Sequence, residues 1–388
     1  CGEISSAEDL ATSALALTDE ETDPLLEADV GFILGSACHT LLRPEEGLEA
    51  WQRGAAAARA AGDRSAEARC LQRVAMSHFC FGRIEAFERE REHLDASEAL
   101  YYSPGDAALA WSIELELAAL RGDWAATERH GARVRELVAR SKNPWSQLAG
   151  AYALACARAT QGDGARAREA LDTTRDPSMP FAASNRSDVL GPVSRWLADL
   201  FVGEPVGLSP SDRDAWIERI ESADETSFAL TCACFGVEMA DRTRDTTLAT
   251  AALPIMTTAD ARSWVLTVGW PFFVPRLLGV AATLVGDWFL ADGTFERATA
   301  CAARLGFPIE LGRTRLDHAQ MLVLRNGDGD RDRARHLARL ARSDLSLCPR
   351  NVFAGRVEKL CDYLQVTDAP ADPAPTRRRI ADERLPGG

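Results

Sequence analysis

Apolar and polar positions along this chain follow a helical period, and turns interrupt that period at regular intervals. An apolar run with i, i+3, i+4 spacing ends at a glycine, and a second run begins directly afterwards. The interval between such turns is about 40 residues, which predicts stacked helical hairpins that are each too small to bury their own apolar face. The turn glycines are Gly82, Gly122, Gly162, Gly203, Gly286 and Gly327, and Arg43-Pro44 extends the series upstream.

Four hairpins have clear bounds in the pattern. Glycine or proline closes the helices, because glycine accepts the left-handed turn and proline cannot continue the hydrogen-bond ladder. Asp123, Asp163 and Asp287 follow turn glycines, so we expect them to cap the next helix. The predicted helix pairs are Leu25–Leu42 with Glu45–Ala61, Ser65–Phe81 with Ile84–Leu100, Ala107–Leu120 with Trp124–Arg140, and Ser146–Thr160 with Ala165–Leu171.

Residues 172–275 are less regular. Asp176–Asn185 and Gly203–Pro210 have loop composition, and Thr243-Arg244 occupies the expected turn position without glycine. Because the interval from Gly203 to Gly286 is about two periods, we assign two hairpins there.

The most apolar stretch runs from Trp264 to Val285. Pro271, Pro275 and Arg276 interrupt it, whereas a membrane span needs about 20 nearly continuous apolar residues. The sequence therefore predicts no membrane span, and this stretch is expected to form a buried, kinked helix.

The two ends of the chain lead to separate expectations. Residues 365–388 are rich in proline, alanine and charge, so we expect a disordered tail after a repeat region that covers 1–364. The first residue is Cys1, and Ser5 with Glu8 forms a capping-box pattern before an apolar helical run. That run fits the second helix of a hairpin, which favours a segment of a longer polypeptide over a lipidated N-terminal cysteine.

Composition and charge narrow the range of partners. Hydrophobic residues make up 46% and aromatic residues 7% of the chain, which suits closely packed helices rich in alanine and leucine. A net charge of −14 argues against binding to nucleic acid or anionic lipid. The ten cysteines are scattered, mostly within apolar helical stretches, as in packed residues of a reduced cytoplasmic protein.

The sequence contains few residues in patterns that could bind a metal or carry out catalysis. Two sets of residues could hold a metal or form a thiol site. One is Cys232 with Cys234, and the other is His39 and Cys38 together with His78 and Cys80. For both sets, packing in the core is the favoured interpretation. The only lysines are Lys142 and Lys359, and neither stands in the Gly-Lys-Ser/Thr sequence of a phosphate-binding loop. We therefore expect no catalytic residues, no cofactor and no metal in this chain.

One aromatic cluster supports a binding hypothesis. Its number of large rings exceeds the need of an alanine- and leucine-rich array, and prolines break the helix among them. A groove for a protein partner or a small ligand is one interpretation; a compensating core in the irregular region is the other. The cluster comprises Trp264, Trp270, Phe272, Phe273, Trp288 and Phe289.

Two stretches carry a resemblance to a known family. The unit around Gly286 has small residues where two helices touch and bulky residues beside them, and it resembles the tetratricopeptide pattern. Gly122-Asp123-Trp124, with Trp111 before it, is a second, partial match. The residues of the first match are Leu278-Gly279, Gly286-Asp287-Trp288, Ala291, Phe295 and Ala298.

The stretch Phe295–Ala341 resembles the last tetratricopeptide-like repeats of large bacterial signalling proteins. These proteins join a class III nucleotide cyclase or a LuxR/MalT-type regulator to a P-loop ATPase module. The resemblance covers roughly 70 residues from Leu277 and is architectural elsewhere. Its signature is Arg304-Leu305-Gly306, then Thr314-Arg315-Leu316 with Ala319, then Gly329–Ala334.

The resemblance implies an all-α fold, a right-handed superhelical solenoid of about eight tetratricopeptide-like hairpins whose first helices line a concave groove. It also implies a non-catalytic regulatory or sensing arm. Such an arm would bind a protein partner or a small-molecule effector and regulate an attached or associated ATPase, cyclase or transcription-regulator module.

Two alternatives remain open at this stage. An α/α-toroid enzyme with catalytic carboxylates on the loops at one end would have a similar length. A free-standing binding protein anchored through a lipid on Cys1 would also fit the chain.

Overall fold

The computed structural model describes residues 23–95, 104–172, 187–203, 207–222, 226–346 and 352–366, together with positions 9 and 13. Within these ranges the chain forms 17 α-helices and one isolated antiparallel β-bridge, between Leu266 and Phe273. The expected all-α class is confirmed. The expectations for Ser5–Glu8, for Asp176–Asn185 and for the tail beyond Val366 lie outside the described residues.

The helix bounds follow the predicted hairpins closely. The first nine helices are α1 Pro24–Thr40, α2 Pro44–Ala60, α3 Arg64–Cys80, α4 Ile84–Asp95, α5 Pro104–Arg121, α6 Trp124–Arg140, α7 Pro144–Thr160, α8 Gly164–Asp172 and α9 Ser187–Val202. The remaining eight are α10 Pro210–Ser222, α11 Ser227–Thr243, α12 Thr246–Ala261, α13 Val274–Val285, α14 Trp288–Leu305, α15 Pro308–Arg325, α16 Asp330–Leu345 and α17 Val352–Leu364.

The turns between helices adopt the left-handed conformation that the glycine pattern predicts. Gly286 ends α13 with φ of 82°, and Arg244 takes the same role at the predicted turn without glycine, with φ of 59°. The expectation for Gly327 is wrong, because Asn326 and Gly329 hold the positive φ angles there.

The three predicted aspartate caps are confirmed. Asp123 Oδ1 accepts a hydrogen bond from the Ala126 N–H at 2.9 Å, and Asp287 Oδ1 accepts one from the Leu290 N–H at 3.0 Å. Asp163 Oδ1 accepts the equivalent bond at the start of α8, at 3.1 Å. Each carboxylate satisfies a backbone donor that the helix leaves unpaired and lies at the positive end of the helix dipole.

Helix packing separates the odd-numbered helices from the even-numbered ones. Each odd helix contacts the next odd helix from α1 to α9 and again from α11 to α17, and most even helices pack against the odd helix of the same hairpin. The odd helices also contact each other at longer range, in the pairs α1–α11, α5–α15 and α9–α17. The odd helices therefore form an inner face, which the two halves of the chain share.

The connection between α12 and α13 departs from the prediction. A buried, kinked helix was expected over Trp264–Val285, but residues 262–273 are not helical and α13 begins at Val274. Pro271 explains the difference, because a proline disfavours the helical conformation at the residue before it and removes a backbone donor. We call residues 263–273 the aromatic finger.

The aromatic finger doubles back on itself as a short irregular hairpin. The Val274 N–H donates to the Val265 carbonyl at 3.0 Å, and the Thr267 N–H donates to the Phe272 carbonyl at 3.3 Å. Gly269, near its tip, has φ of 93°. Among the described helices, none is long and apolar enough to span a bilayer.

Candidate functional site

The aromatic finger inserts into the inner face, where it meets the C-terminal ends of α1 and α3. The Val265 and Leu266 N–H groups both donate to the Cys80 carbonyl, at 2.8 and 2.9 Å. Just before the finger, Arg262 Nη1 donates to the carbonyls of Leu41 and Leu42, at 3.2 and 3.1 Å. These carbonyls lie at or just beyond helix C-termini, where acceptors lack intrahelical donors. The finger therefore supplies hydrogen bonds that the helix ends leave unmade.

A buried carboxyl group on α5 holds the tip of the finger. Glu116 is 1% exposed, and its Oε1 accepts a hydrogen bond from the Gly269 N–H at 3.0 Å. Burial raises the pKa of Glu116 to about 8, although the bond from Gly269 acts to lower it. Its Oε2 has no hydrogen-bond partner in the described structure. At neutral pH this side chain is therefore mostly protonated.

Two rings of the finger contact aromatic side chains in the first half of the chain. Trp264 lies against His39 of α1, with ring centroids 4.9 Å apart, and His39 also contacts Trp51 at 5.4 Å. Burial, with Arg73 adding a smaller effect, lowers the pKa of His39 to about 3. Trp270 meets Phe201 of α9 edge-on at 5.8 Å.

The structure brings together four of the six residues of the predicted aromatic cluster, Trp264, Trp270, Phe272 and Phe273, and buries all four. Trp288 lies outside the finger, at the start of α14, where it is partly buried against the largest cluster of buried apolar residues in the described structure. Phe289 beside it is 93% exposed. Because the finger fills the inner face, a partner reaches these four rings only if the finger moves.

A network of buried ion pairs lies on the odd helices of the second half. Arg276 of α13 pairs with Glu310 at 3.0 Å, with Asp317 at 2.9 Å, and also with Glu238 of α11. Arg313 of α15 pairs with Glu238 at 2.5 Å and with Glu310 at 2.6 Å. Burial acts to raise the pKa of Glu238, but the two arginines outweigh it and hold the pKa at about 2. Glu238 therefore stays ionised, whereas burial raises the pKa of Asp317.

The ion network reaches the aromatic residues through Arg313 and continues into α17. The Arg313 guanidinium lies over the rings of Phe353 and Phe201, at 4.3 and 5.0 Å from their centroids. Arg356 of α17 pairs with Asp241 of α11 at 2.9 Å. Charge and ring contacts together thus join α9, α11, α15 and α17.

A second candidate lies between α6, α7 and α8. It is a cavity of about 580 Å³, a size typical of small-molecule pockets. Arg158 on its wall is already paired with Glu128 and hydrogen-bonded to Gln161. The lining residues are Glu128, Arg135, Val138, Ala139, Ala151, Leu154, Arg158, Arg166, Glu169 and Ala170.

The cysteine and histidine candidates occupy packing positions. Every described cysteine is a free thiol, and Cys232 and Cys234 are both buried in the main core. His39 lies in tilted ring contacts with Trp51 and Trp264 rather than beside a cysteine ligand set. Within the described ranges, no group of three or more His, Cys, Asp or Glu side chains is arranged to hold a metal ion.

Sequence reasoning missed the ion network, although a signal was present. Glu310, Arg313 and Asp317 lie on one face of α15, and Arg276 stands about one hairpin period before Asp317.

No family model matches this chain, and no curated protein matches it at a significant level.

Proposed function

We propose that this chain is a non-catalytic solenoid of tetratricopeptide-like hairpins that binds a protein partner at its inner face. In this role it regulates an ATPase, nucleotide cyclase or transcription-regulator module that is attached to it or associated with it, in the cytoplasm. The observation that carries the proposal is the inner face of odd-numbered helices, which is occupied by an irregular hairpin rather than by a helix.

The order of the long-range helix contacts supports a superhelix. α1 contacts α11 and α5 contacts α15, which are ten helices apart in both pairs, and α9 contacts α17, eight helices on. A solenoid that winds past its own first hairpins brings together helices that are a similar distance apart along the chain. A closed toroid would join its last hairpin to its first, whereas here the odd series continues beyond α11 through α13, α15 and α17.

Regulation follows from the way the two halves share the inner face. A partner that binds better when the halves are apart shifts the population toward that open form. The change in curvature would then alter how the array docks on the module it regulates. Such an opening would separate Phe201 of α9 from two groups of the second half, Trp270 of the aromatic finger and Arg313 of the ion network.

The first test is the size of the native polypeptide, measured by immunoblot of source cells with an antibody against this region. A band well above 42.1 kDa is expected for an arm attached to a signalling module. A band near 42.1 kDa would contradict the attached form and leave only the associated form.

The regulatory role is then measured on the module itself. ATPase, cyclase or DNA-binding activity of the native polypeptide, or of the module that co-purifies with the chain, is compared with and without residues 23–366. We expect the activity to change when the array is removed. Equal activity in both preparations would overturn the regulatory proposal.

A further inference from the structure

The aromatic finger is an insertion between two helices that already pack together. α12 and α13 contact each other directly, although residues 262–273 separate them in the chain. The connections α1–α2 and α3–α4, by comparison, use only residues 41–43 and 81–83. The helical array is therefore continuous around the finger, which occupies the inner face without forming one of its walls.

The finger occupies the space at the inner face, but several buried polar groups on the surrounding helices have no hydrogen-bond partner in the described structure. His39 Nδ1, Glu116 Oε2 and the Tyr152 hydroxyl are buried without a hydrogen-bond partner in the described structure. They belong to α1, α5 and α7, which are all odd helices. Buried polar groups are normally satisfied, so each unpaired group calls for an explanation.

The positions of these groups relate them to the finger. The His39 ring lies against Trp264, and Glu116 holds Gly269 through its other oxygen. Tyr152 lies on the same side of α7 as Cys156 and Thr160, since residues four apart share a helix face. Cys156 and Thr160 line a small cavity of about 20 Å³ together with Trp270 and Phe272.

We propose that the inner face of α1, α3, α5 and α7 is a peptide-binding groove that the aromatic finger occupies in cis. Its ligand in trans is an extended segment of a partner protein with a large aromatic side chain and polar groups that reach His39, Glu116 and Tyr152. This inference rests on the proposed function and specifies its partner and its regulation.

The contacts of the finger define how such a segment binds. Two adjacent backbone N–H groups of the segment donate to the Cys80 carbonyl, as those of Val265 and Leu266 do now. An aromatic ring takes the place of Trp264 beside His39, and a side-chain hydrogen-bond group on the ligand satisfies Glu116 or Tyr152. Main-chain hydrogen bonds supply affinity and the side-chain positions supply specificity, as in other extended-peptide complexes.

Because the finger is part of the same polypeptide as the groove, it competes strongly with any ligand that binds in trans. A short linker gives an intramolecular ligand an effective concentration on the order of millimolar. A free peptide therefore binds the native chain weakly, and it binds a chain with a weakened finger more tightly. The double variant Trp264→Ala/Trp270→Ala changes only the occupant and leaves the groove residues intact.

The binding experiment uses a fluorescent synthetic peptide with the sequence of residues 262–273 on a solubilising acidic tag. Fluorescence anisotropy with the full-length double variant should give an affinity at least tenfold higher than with the native chain. A peptide in which both tryptophans are alanine should not bind. The Phe289→Ala chain is the matched control, because it loses an exposed ring outside the finger and should behave as the native chain does. Equal peptide affinity for native and double-variant chains, or no binding to a folded double variant, overturns the proposal.

A second measurement needs no substitution and decides the question if the double variant does not fold. Native-state hydrogen exchange is followed at the Val265, Leu266 and Gly269 amides and at the Val280 amide within α13. We expect the finger amides to exchange at least tenfold faster than Val280, through a separate local opening. Exchange of all four only by one common unfolding event shows that the finger is core and overturns the proposal.

Neither measurement depends on a regulated module. If the peptide binds as expected, but the activity of the module is the same with and without the array, the proposed regulation is wrong and the peptide-binding groove is supported. If the module responds to the array and the peptide does not bind, the regulation stands and the groove assignment fails.

Discussion

Arg276 of α13 and Asp317 of α15 form a 2.9 Å ion pair whose side chains are only 3% and 6% exposed. Replacing Arg276 with Met should lower the free energy of unfolding by about 3–5 kcal/mol, because Glu238, Glu310 and Asp317 would lose a buried cationic partner. Urea unfolding followed by circular dichroism measures the change.

Arg297 provides the control for this prediction. It pairs with Asp260 at 3.1 Å, but its side chain is 58% exposed. Arg297→Met should therefore change stability by less than about 1 kcal/mol. Similar losses from the two substitutions would contradict the special role of the buried network.

Glu116 should give the protein a pH-dependent stability between its unfolded and folded pKa values. Burial raises the pKa from 4.5 to about 8, so the folded state binds the proton more tightly than the unfolded state does. The contribution is complete below about pH 4.5, falls as the pH rises toward 8, and changes no further above that.

Glu116→Gln should remove this dependence, because glutamine keeps an acceptor for Gly269 and cannot ionise. Relative to the native chain, the variant should gain little stability at pH 4.5 and about 4 kcal/mol at pH 8, since the pKa rises from 4.5 to about 8 and each pKa unit corresponds to about 1.4 kcal/mol. Denaturant midpoints across this range measure the difference. The exposed Glu85→Gln on α4 is the control, and a gain that does not vary with pH would refute the assignment.

Burial of His39 should make stability depend on pH with the opposite sign, and at lower pH than for Glu116. Its folded pKa of about 3 lies below the ordinary value of 6.5, so protonation favours the unfolded state. Its contribution is present above about pH 6.5 and is lost as the pH falls toward 3. In Glu116→Gln chains, stability should therefore rise with pH from about 3 to about 6.5. A His39→Phe substitution in that background should flatten the rise, as measured by denaturant unfolding.

Gly279 and Gly355 should respond to alanine with opposite signs. A Cβ atom at Gly279 would come within 2.8 Å of the Phe295 ring, whereas a Cβ at Gly355 meets no atom within 4 Å. Gly279→Ala should cost about 1–3 kcal/mol through overpacking. Gly355→Ala should stabilise the exposed helix interior by about 0.5–1 kcal/mol. Thermal melting of both variants tests the close helix approach at Gly279, and two shifts of the same sign would count against it.

Trp270 should contribute much more to stability than Phe289. Trp270 is buried against Phe201, whereas Phe289 is 93% exposed. Trp270→Ala should cost about 3–5 kcal/mol, and Phe289→Ala should change stability by less than about 0.5 kcal/mol. Unchanged melting of Trp270→Ala together with lost partner binding would contradict the compensating-core interpretation of this ring.

The hairpins were predictable because their signals are local. Gly286 and Asp287 carry the turn and the cap within two adjacent residues, and both act as expected. The turn at Arg244 was also predictable, since its position in the period compensates for the absent glycine.

The aromatic finger and the ion network were not predictable because their partners are distant in sequence. An apolar segment such as Trp264–Phe273 is compatible with either a helix or an extended core segment, and only contacts with Cys80 and Glu116 decide between them. A charged stripe such as the one on α15 ordinarily marks a solvated helix face. It lies inside only because α11, α13 and α17 bring charged partners.

The bond from Arg262 to the Leu42 carbonyl spans 220 residues of sequence, and this distance bears on biosynthesis. At roughly 5–20 residues per second, the ribosome needs about 10–40 s to complete the finger after the end of α1 has been made. During that time the nascent first hairpins expose the apolar surface that Trp264 later covers. This interval is when the chain is open to chaperones and to premature association with neighbouring chains, so slower translation between α3 and α12 would lower its yield.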